Sequence, residues 1–130
     1  MRMPEPDRDV MAQRAAIIEN LRAIAPNGVI AEDDEMRVYE SDGLSAYRTL
    51  PMVVVLPETT AQVAAILKYC GEAGIKVVPR GAGTSLSGGA LPLADGVLLG
   101  LGKFNRVLDI DYDNRTVTAQ PGVTNLAITH

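Results

Sequence analysis

The chain has 130 residues, 47% of them hydrophobic, and a formal net charge of −4. Its length predicts about one domain, with enough apolar side chains to form a core. Four tyrosines, one phenylalanine and no tryptophan, combined with the acidic balance, lack the basic field and aromatic platform of nucleic-acid-binding proteins, so the sequence excludes nucleic acid as a partner.

Three features predict the cellular location. The N-terminus is acidic and contains Pro4 and Pro6, unlike a signal peptide. No apolar run approaches the roughly 20 residues that are needed to span a bilayer. Cys70 is the single cysteine, so an internal disulfide is impossible. We therefore expect a cytoplasmic protein with no membrane segment.

Residues 1–48 are predicted to form an N-terminal helical segment. From Asp7 to Ala25, apolar residues recur at three- and four-residue steps, as one buried helix face requires; they are Val10, Met11, Ala15, Ile17, Ile18, Leu21 and Ile24. Asp7 is the expected cap, and Pro26 to Gly28 is the expected stop. The charged side chains of this helix are interpreted as a solvated face; they are Arg8, Arg14, Glu19 and Arg22. Residues 32–40 predict a short acidic helix with a solvated start.

A β-α-β unit is predicted next. Met52 to Leu56 is a continuous apolar run, which is typical of a strand buried on both faces. Thr59 or Thr60 then caps a helix that ends at Gly74, and its apolar stripe consists of Val63, Ile66, Leu67 and Cys70. Ile75 to Pro79 begins the following strand. Because ligands of parallel sheets bind beyond the carboxyl ends of the strands, we expect a site just after this second strand.

The last third of the chain changes architecture. Val97 to Leu101 predicts a third strand, whereas residues 104–111 and 116–120 predict a half-buried antiparallel hairpin around a turn at Tyr112 to Arg115. Thr124 is the expected cap of a helix that runs barely two turns before the chain stops, which leads us to expect a fragment. The predicted fold class is α+β (α/β), a small parallel β-α-β sheet followed by the start of an antiparallel subdomain.

The loop over residues 80–89 carries the clearest chemistry. Its glycines allow positive φ and close backbone approach, so successive amides can face an anion. The charge of Arg80 suits the same use, as do the hydroxyl groups of Thr84, Ser85 and Ser87. Leu86 stands where a dinucleotide Gly-x-Gly-x-x-Gly needs its third glycine, and the Gly-Lys of nucleoside-triphosphate loops is missing. From the residues alone, a phosphate site and an ordinary turn-rich connection both stay open.

Three motifs in order resemble one family. Pro79-Arg80-Gly81-Ala82-Gly83-Thr84-Ser85, followed by Ser87-Gly88-Gly89-Ala90, resembles the pyrophosphate loop of FAD-linked oxidases of the vanillyl-alcohol oxidase type, which carry a PCMH-type FAD-binding domain. The upstream run Pro51 to Pro57 and the downstream Pro121-Gly122-Val123 also match. More narrowly, the sequence is similar to the flavin subunit of glycolate oxidase and to D-lactate dehydrogenases.

The resemblance implies a cofactor and its ligands. FAD is the implied cofactor, and its expected contacts are Pro79, Arg80, Gly81, Ala82, Gly83, Thr84, Ser85, Gly88, Gly89, Pro121, Gly122 and Val123. Some family members have a histidine, bonded covalently to the flavin, where this chain has Thr84, so non-covalent binding is implied. Residues 49–130 would be the FAD-binding domain, incomplete at its C-terminus.

The resemblance also implies a reaction, namely oxidation of a small 2-hydroxy acid such as glycolate or D-lactate with hydride transfer to flavin N5. Other oxidase subunits are candidate partners. No catalytic or metal-binding residue is assigned, since His130, the only histidine, has no identifiable partner and the family's acid–base residues lie in regions that this chain lacks. We therefore expect the 130 residues alone to be inactive. A truncated, non-catalytic flavin- or phosphate-binding module and a related FAD-linked oxidase with another substrate remain alternatives.

Overall fold

Two β-sheets and the helices between them make up the computed structural model, which describes residues 2–129. The helices and strands, in chain order, are α1 (Arg8–Ala12), α2 (Arg14–Ile24), β1 (Val29–Ile30), α3 (Asp33–Met36) with a 3₁₀ turn over Arg37–Tyr39, β2 (Val53–Val55), α4 (Thr60–Ala73), β3 (Lys76–Arg80), β4 (Gly96–Gly100), β5 (Val107–Asp111), β6 (Thr116–Ala119) and α5 (Asn125–Thr129).

The larger sheet has the strand order β1-β2-β4-β3. Strands β2, β4 and β3 are parallel, while β1 pairs antiparallel with β2 at the edge. Strands β5 and β6 form a separate antiparallel sheet. The predicted fold class is confirmed, with one addition: β4 lies between the two strands of the β-α-β unit.

The core lies on both faces of the larger sheet. Val53 and Val55 face a cluster that includes Leu21 of α2 and Ile66 of α4. Val54 faces the opposite way, in register with Leu98 and packed with Met36 and Val78. All three valines are fully buried. The two-sided burial predicted from the continuous apolar run is confirmed.

The helix ends follow the predicted capping chemistry. The carboxylate of Asp7 accepts from the amides of Asp9 and Val10 at 2.9 and 3.2 Å. Thr59 Oγ1 accepts from the Gln62 amide at 3.1 Å, and Gln62 Oε1 accepts from the Glu58 amide at 2.8 Å. This is a capping box in which the second donor is the amide one residue before the cap. Gly74 ends α4 at φ 68°, where the left-handed conformation favours glycine.

The N-terminal helix differs from the prediction. It is broken at Gln13 (φ −96°, ψ 10°) into α1 and α2, and its residues Met11 and Ala15 are exposed. Arg14 is not solvated as predicted, because its Nε donates to the Met52 carbonyl at 2.9 Å and its Nη2 donates to the Ala31 carbonyl. A guanidinium that binds two main-chain carbonyls fastens α2 to the segments flanking β1 and β2.

Two other local predictions need correction. Leu67 of α4 is exposed, so the buried stripe of that helix is narrower than its sequence spacing indicates. The two-residue strand β1 was not predicted, because so short a run has no visible alternation. It holds an edge of the sheet through the Leu56 amide, which donates to the Gly28 carbonyl at 2.7 Å.

The hairpin forms where predicted but is not half-buried. Its large apolar side chains are exposed on both strands; they are Val107, Leu108, Ile110 and Val117. The positive φ of its turn falls on Arg115 (55°) and not on the expected Asp or Asn. Asp111 closes the turn instead, since its carboxylate accepts from the Asn114 amide at 2.9 Å. The predicted cap of α5 is present, with Thr124 Oγ1 accepting from the Ala127 amide at 3.3 Å.

Within residues 2–129, none of the helices is long and apolar enough to cross a membrane.

Candidate functional site

The glycine-rich loop lies at the carboxyl edge of the parallel sheet. It leaves β3 at Arg80, and the chain returns to the sheet at Gly96, where β4 begins. Gly83 and Gly88 have φ values of 72° and 77°, which non-glycine residues rarely adopt. These two positions therefore need glycine to shape the bends of the loop, as its sequence predicted.

The main-chain amides of residues 81–85 are free to bind a ligand. Across the described part of the chain, none of them donates a hydrogen bond to a protein acceptor. Gly81, Ala82 and Thr84 are exposed, and Gly83 and Ser85 are half-buried. Since these amides have no protein acceptor, they are available to donate to a group of anionic oxygens. The residues present thus fit a diphosphate.

The Arg80 side chain binds main-chain carbonyls of the protein. Its side chain is 6% exposed, and the guanidinium donates to the Ala90 carbonyl through Nε (3.2 Å) and to the Tyr39 carbonyl through Nη1 (3.0 Å). A methyl group at Gly83 would lie 3.5 Å from Arg80 Cδ. The loop is therefore folded over the Arg80 side chain, which ties its first residue to the residue that follows its last glycine.

The Arg80 guanidinium under the loop forms no salt bridge with a carboxylate of the described residues. Burial lowers the pKa of Arg80, while the negative charge of Asp42 opposes that shift. A guanidinium stays protonated even when its pKa falls, so a positive charge lies under the loop, and the negative charge of Asp42 offsets part of it.

The turn Pro121-Gly122-Val123 reaches the same edge of the sheet. The Gly122 amide donates to the Phe104 carbonyl at 2.7 Å, and a methyl group at Gly122 would lie 3.3 Å from the Leu101 carbonyl oxygen. The Leu101 amide in turn donates to the Arg80 carbonyl at 2.9 Å, at the start of the loop. The structure thus places the two predicted motifs on adjoining segments.

The main-chain amides of Gly122 and Val123 already donate to protein carbonyls. Val123 donates to the Gln120 carbonyl at 3.1 Å, in addition to the bond that Gly122 makes. Unlike the amides of residues 81–85, they are not free for a ligand, so any contact of this turn with a cofactor would be through its other atoms. Gly88 and Gly89 lie at the far end of the loop, where the Leu91 amide donates to the Gly88 carbonyl. Pro79, the last of the predicted contacts, is exposed within β3, in register with Leu99.

The remaining candidates do not form a catalytic site. Cys70 lies in the core, and its burial raises the thiol pKa to about 11, as suits a packing residue. Between Arg2 and Thr129 there is no group of three His, Cys, Asp or Glu side chains that could hold a metal. His130 lies outside the described residues. Sequence reasoning missed two neighbours of the loop, Asp42 and Gly43, because an Asp-Gly pair signals only a turn.

Comparison with known proteins identifies similar chains. The family described as FAD binding domain matches residues 51–130. A glycolate oxidase subunit GlcD of Escherichia coli K12 is 51% identical over 116 residues, which are 88% of this chain and 23% of that protein. A D-lactate dehydrogenase of Anaerostipes hadrus is 38% identical over 82% of this chain and 23% of its own length. The chain thus spans about a quarter of the length of these relatives.

Solved structures share the fold. Substrate-bound p-cresol methylhydroxylase and 4-ethylphenol oxidase from Gulosibacter chungangensis each match 98% of this chain with a TM-score of 0.78, at 24% identity and over 25% of their own length. An alkyldihydroxyacetonephosphate synthase matches with a TM-score of 0.68 at 17% identity. The sequence and family matches confirm the resemblance that the glycine-rich loop indicated.

Proposed function

The chain belongs to the FAD binding domain family, and from that premise we propose that residues 81–85 hold the diphosphate of FAD through their main-chain amides. The observation that carries this proposal is the run of unpaired amides above a buried cation. Hydrogen bonds to charged acceptors are the strong ones, and several of them converge on one group in known phosphate loops. Because Thr84 stands in the loop, no histidine there can bond the flavin, and FAD is bound without a covalent link.

The wider reaction is proposed from the relatives. Two of them are named as a glycolate oxidase subunit and a D-lactate dehydrogenase, so we place this chain in an oxidoreductase of small 2-hydroxy acids. When bound, FAD supplies the redox chemistry, with hydride transfer to flavin N5. The residues of this chain bind and orient the cofactor, and we assign none of them to proton transfer. The word subunit in the name of the first relative makes other oxidase subunits candidate partners.

The domain boundaries within the chain are also a proposal. We propose residues 49–130 as the FAD-binding domain and residues 1–48 as a mainly helical segment that packs α2 on one face of its sheet and Met36 on the other. Arg14 supports the second role, because it donates to the carbonyl just after β1, that of Ala31, and to the carbonyl just before β2, that of Met52. The cytoplasmic location expected from the sequence stays a prediction.

A ligand series on the purified 130-residue chain tests this function. A ligand that binds only the native state raises the melting temperature in proportion to the logarithm of its concentration over Kd. We expect FAD and ADP to raise it and riboflavin, which has no diphosphate, to raise it much less. We also expect no flavin reduction by glycolate or D-lactate.

Two outcomes would contradict the proposal. Stabilisation by sugar phosphates or nucleoside triphosphates but not by FAD or ADP would favour the alternative phosphate-binding module. Reduction of bound flavin by a 2-hydroxy acid would show that the chain carries catalytic residues that we do not assign to it.

A further inference from the structure

The segment just before the parallel sheet touches the back of the glycine-rich loop. Gly43 lies so close to it that a methyl group there would be 2.7 Å from the carbonyl oxygens of both Thr84 and Ser85. Real side-chain carbons do not approach carbonyl oxygens so closely, and both contacts are with main chain, which cannot rotate aside. Only glycine at this position allows the loop to keep its observed course.

This contact determines where two amides of the loop point. In a planar trans peptide, the C=O and N–H bonds lie on opposite sides of the chain. The carbonyls of Thr84 and Ser85 lie against Gly43, so the N–H groups that share those peptide planes, on Ser85 and Leu86, are directed away from it. Neither of these amides has an acceptor in the part of the chain that the structure describes.

Asp42 fixes the position of Gly43. Its side chain is buried, and Oδ1 accepts from the Leu44 amide at 2.8 Å, which closes a turn around Gly43. The segment is also held from its other end, because the Arg80 guanidinium donates to the Tyr39 carbonyl. Asp42 Oδ2 is buried and has no hydrogen-bond partner among residues 2–129, and the negative charge of Asp42 interacts with the positive charge of Arg80.

We propose that Asp42 and Gly43 are positioning residues for the cofactor: the turn that they form presses on the carbonyls of residues 84 and 85 and thereby aims the amides of Ser85 and Leu86 at the diphosphate. This inference rests on the proposed function and adds to it a second segment, outside the glycine-rich loop, and a sixth loop residue, Leu86, whose amide joins those of 81–85. In this proposal both residues act through the main chain of the loop and not as ligands of the cofactor.

Gly43→Ala is the direct test, with Gly71→Ala as its matched control. A methyl group at Gly71 would meet nothing within 4 Å, so that variant reports the general effect of replacing an exposed glycine by alanine. We expect Gly43→Ala to weaken FAD binding by roughly tenfold or more, since two charge-assisted hydrogen bonds are misdirected. Gly71→Ala should leave the affinity within about twofold.

Amide NMR reports the surroundings of individual loop amides, which a change in overall stability alone would not alter. In Gly43→Ala, the backbone amide resonances of Ser85 and Leu86 should shift more than those of the β4 strand, before any ligand is added. Their further shift on addition of inorganic pyrophosphate should be reduced relative to the unmodified chain.

A pair of Asp42 variants covers the case in which Gly43→Ala fails to fold. Asp42→Asn retains an oxygen that can accept from the Leu44 amide and should keep the FAD affinity within about threefold, whereas Asp42→Ala loses that bond and should weaken binding by roughly tenfold. Equal affinities for the two Asp42 variants would overturn the role of the turn.

The outcomes separate this inference from the proposed function. If the unmodified chain binds neither FAD nor pyrophosphate, the proposed function fails, and unchanged Ser85 and Leu86 resonances in Gly43→Ala would overturn the positioning role as well. If the unmodified chain binds FAD and Gly43→Ala binds it equally well with those resonances unchanged, the positioning role fails and the proposed function stands.

Discussion

The parallel sheet and the β5–β6 hairpin are built from similar residues but meet different surroundings. The sheet strands β2 and β4 are buried throughout, and Leu98 is 1% exposed. The hairpin strands also contain valine, leucine and isoleucine, yet Leu108 is 57% exposed. Apolar composition therefore selects the extended conformation in both places, whereas burial depends on what lies opposite.

The covering elements explain the difference. Helices α2 and α4 pack on one face of the larger sheet, and Met36 with its neighbours packs on the other. The two ends of the hairpin pair with each other, since the Gln120 amide donates to the Arg106 carbonyl at 2.9 Å and the Gly122 amide donates to that of Phe104. Among the described residues, neither cluster of the core includes a residue of the hairpin strands. We infer that the stability of this chain resides in the larger sheet and its helices.

The largest predicted effect is in the sheet. Leu98→Ala removes a fully buried side chain between Val54 and Val78, and we expect it to lower the free energy of unfolding by about 3 kcal/mol. Urea unfolding followed by circular dichroism measures this. A loss below about 1 kcal/mol would show that this face of the sheet is not a packed core.

An intermediate effect is expected from Asp95, which precedes β4. Burial opposes its ionisation, but hydrogen bonds from Lys76 Nζ at 2.6 Å and from the Asp7 amide at 2.8 Å outweigh it and hold its pKa below the ordinary value of 3.8. The folded carboxyl thus binds protons less readily than the unfolded one. Its stabilisation is complete above the unfolded pKa and is lost as the pH falls through the folded pKa.

Asp95→Asn should therefore lower the free energy of unfolding near neutral pH by about 1–3 kcal/mol, and its difference from the unmodified chain should shrink below the unfolded pKa. Urea unfolding from neutral to strongly acidic pH gives both quantities. Asp111→Asn in the hairpin is the matched control. Hydrogen bonds from Asn114 also lower the pKa of Asp111, but that carboxyl is at the surface, so its loss should lower the free energy of unfolding much less. Equal losses for the two variants would remove the contrast between the regions.

The smallest effect should come from a leucine on the exposed hairpin. Leu108→Ala makes the same chemical change as Leu98→Ala on an exposed strand, and we expect a loss within about 0.5 kcal/mol. The same urea titration measures it. A loss as large as that of Leu98→Ala would mean that the hairpin is buried in solution, for example by association of two chains.

What the sequence could predict depended on the range of the interactions. The loop position, its glycines and the caps at Asp7 and Thr59 follow from neighbouring residues, and they were predicted. The bonds of Arg80 reach carbonyls 10 and 41 residues away, and the contact of Gly43 with the loop joins segments about as far apart. No local pattern encodes such contacts, and for that reason the roles of Arg80, Asp42 and Gly43 required the structure.

The exposure of the hairpin was mispredicted for a related reason. Alternation in Val107 to Asp111 reports the two faces of a strand and not whether a partner covers either one. Likewise, Arg14 has the spacing of a solvated residue, but the break at Gln13 and two distant carbonyls determine its contacts.

The most direct measurement of the central claim is an amide NMR titration of the 130-residue chain with FAD and, separately, with inorganic pyrophosphate. We predict that both ligands shift the backbone amides of residues 81–86 first and most strongly, while the amides of β5 and β6 stay unchanged. Shifts that are absent from residues 81–86, or that fall mainly on another segment under both ligands, would contradict the assignment of this loop as the diphosphate site.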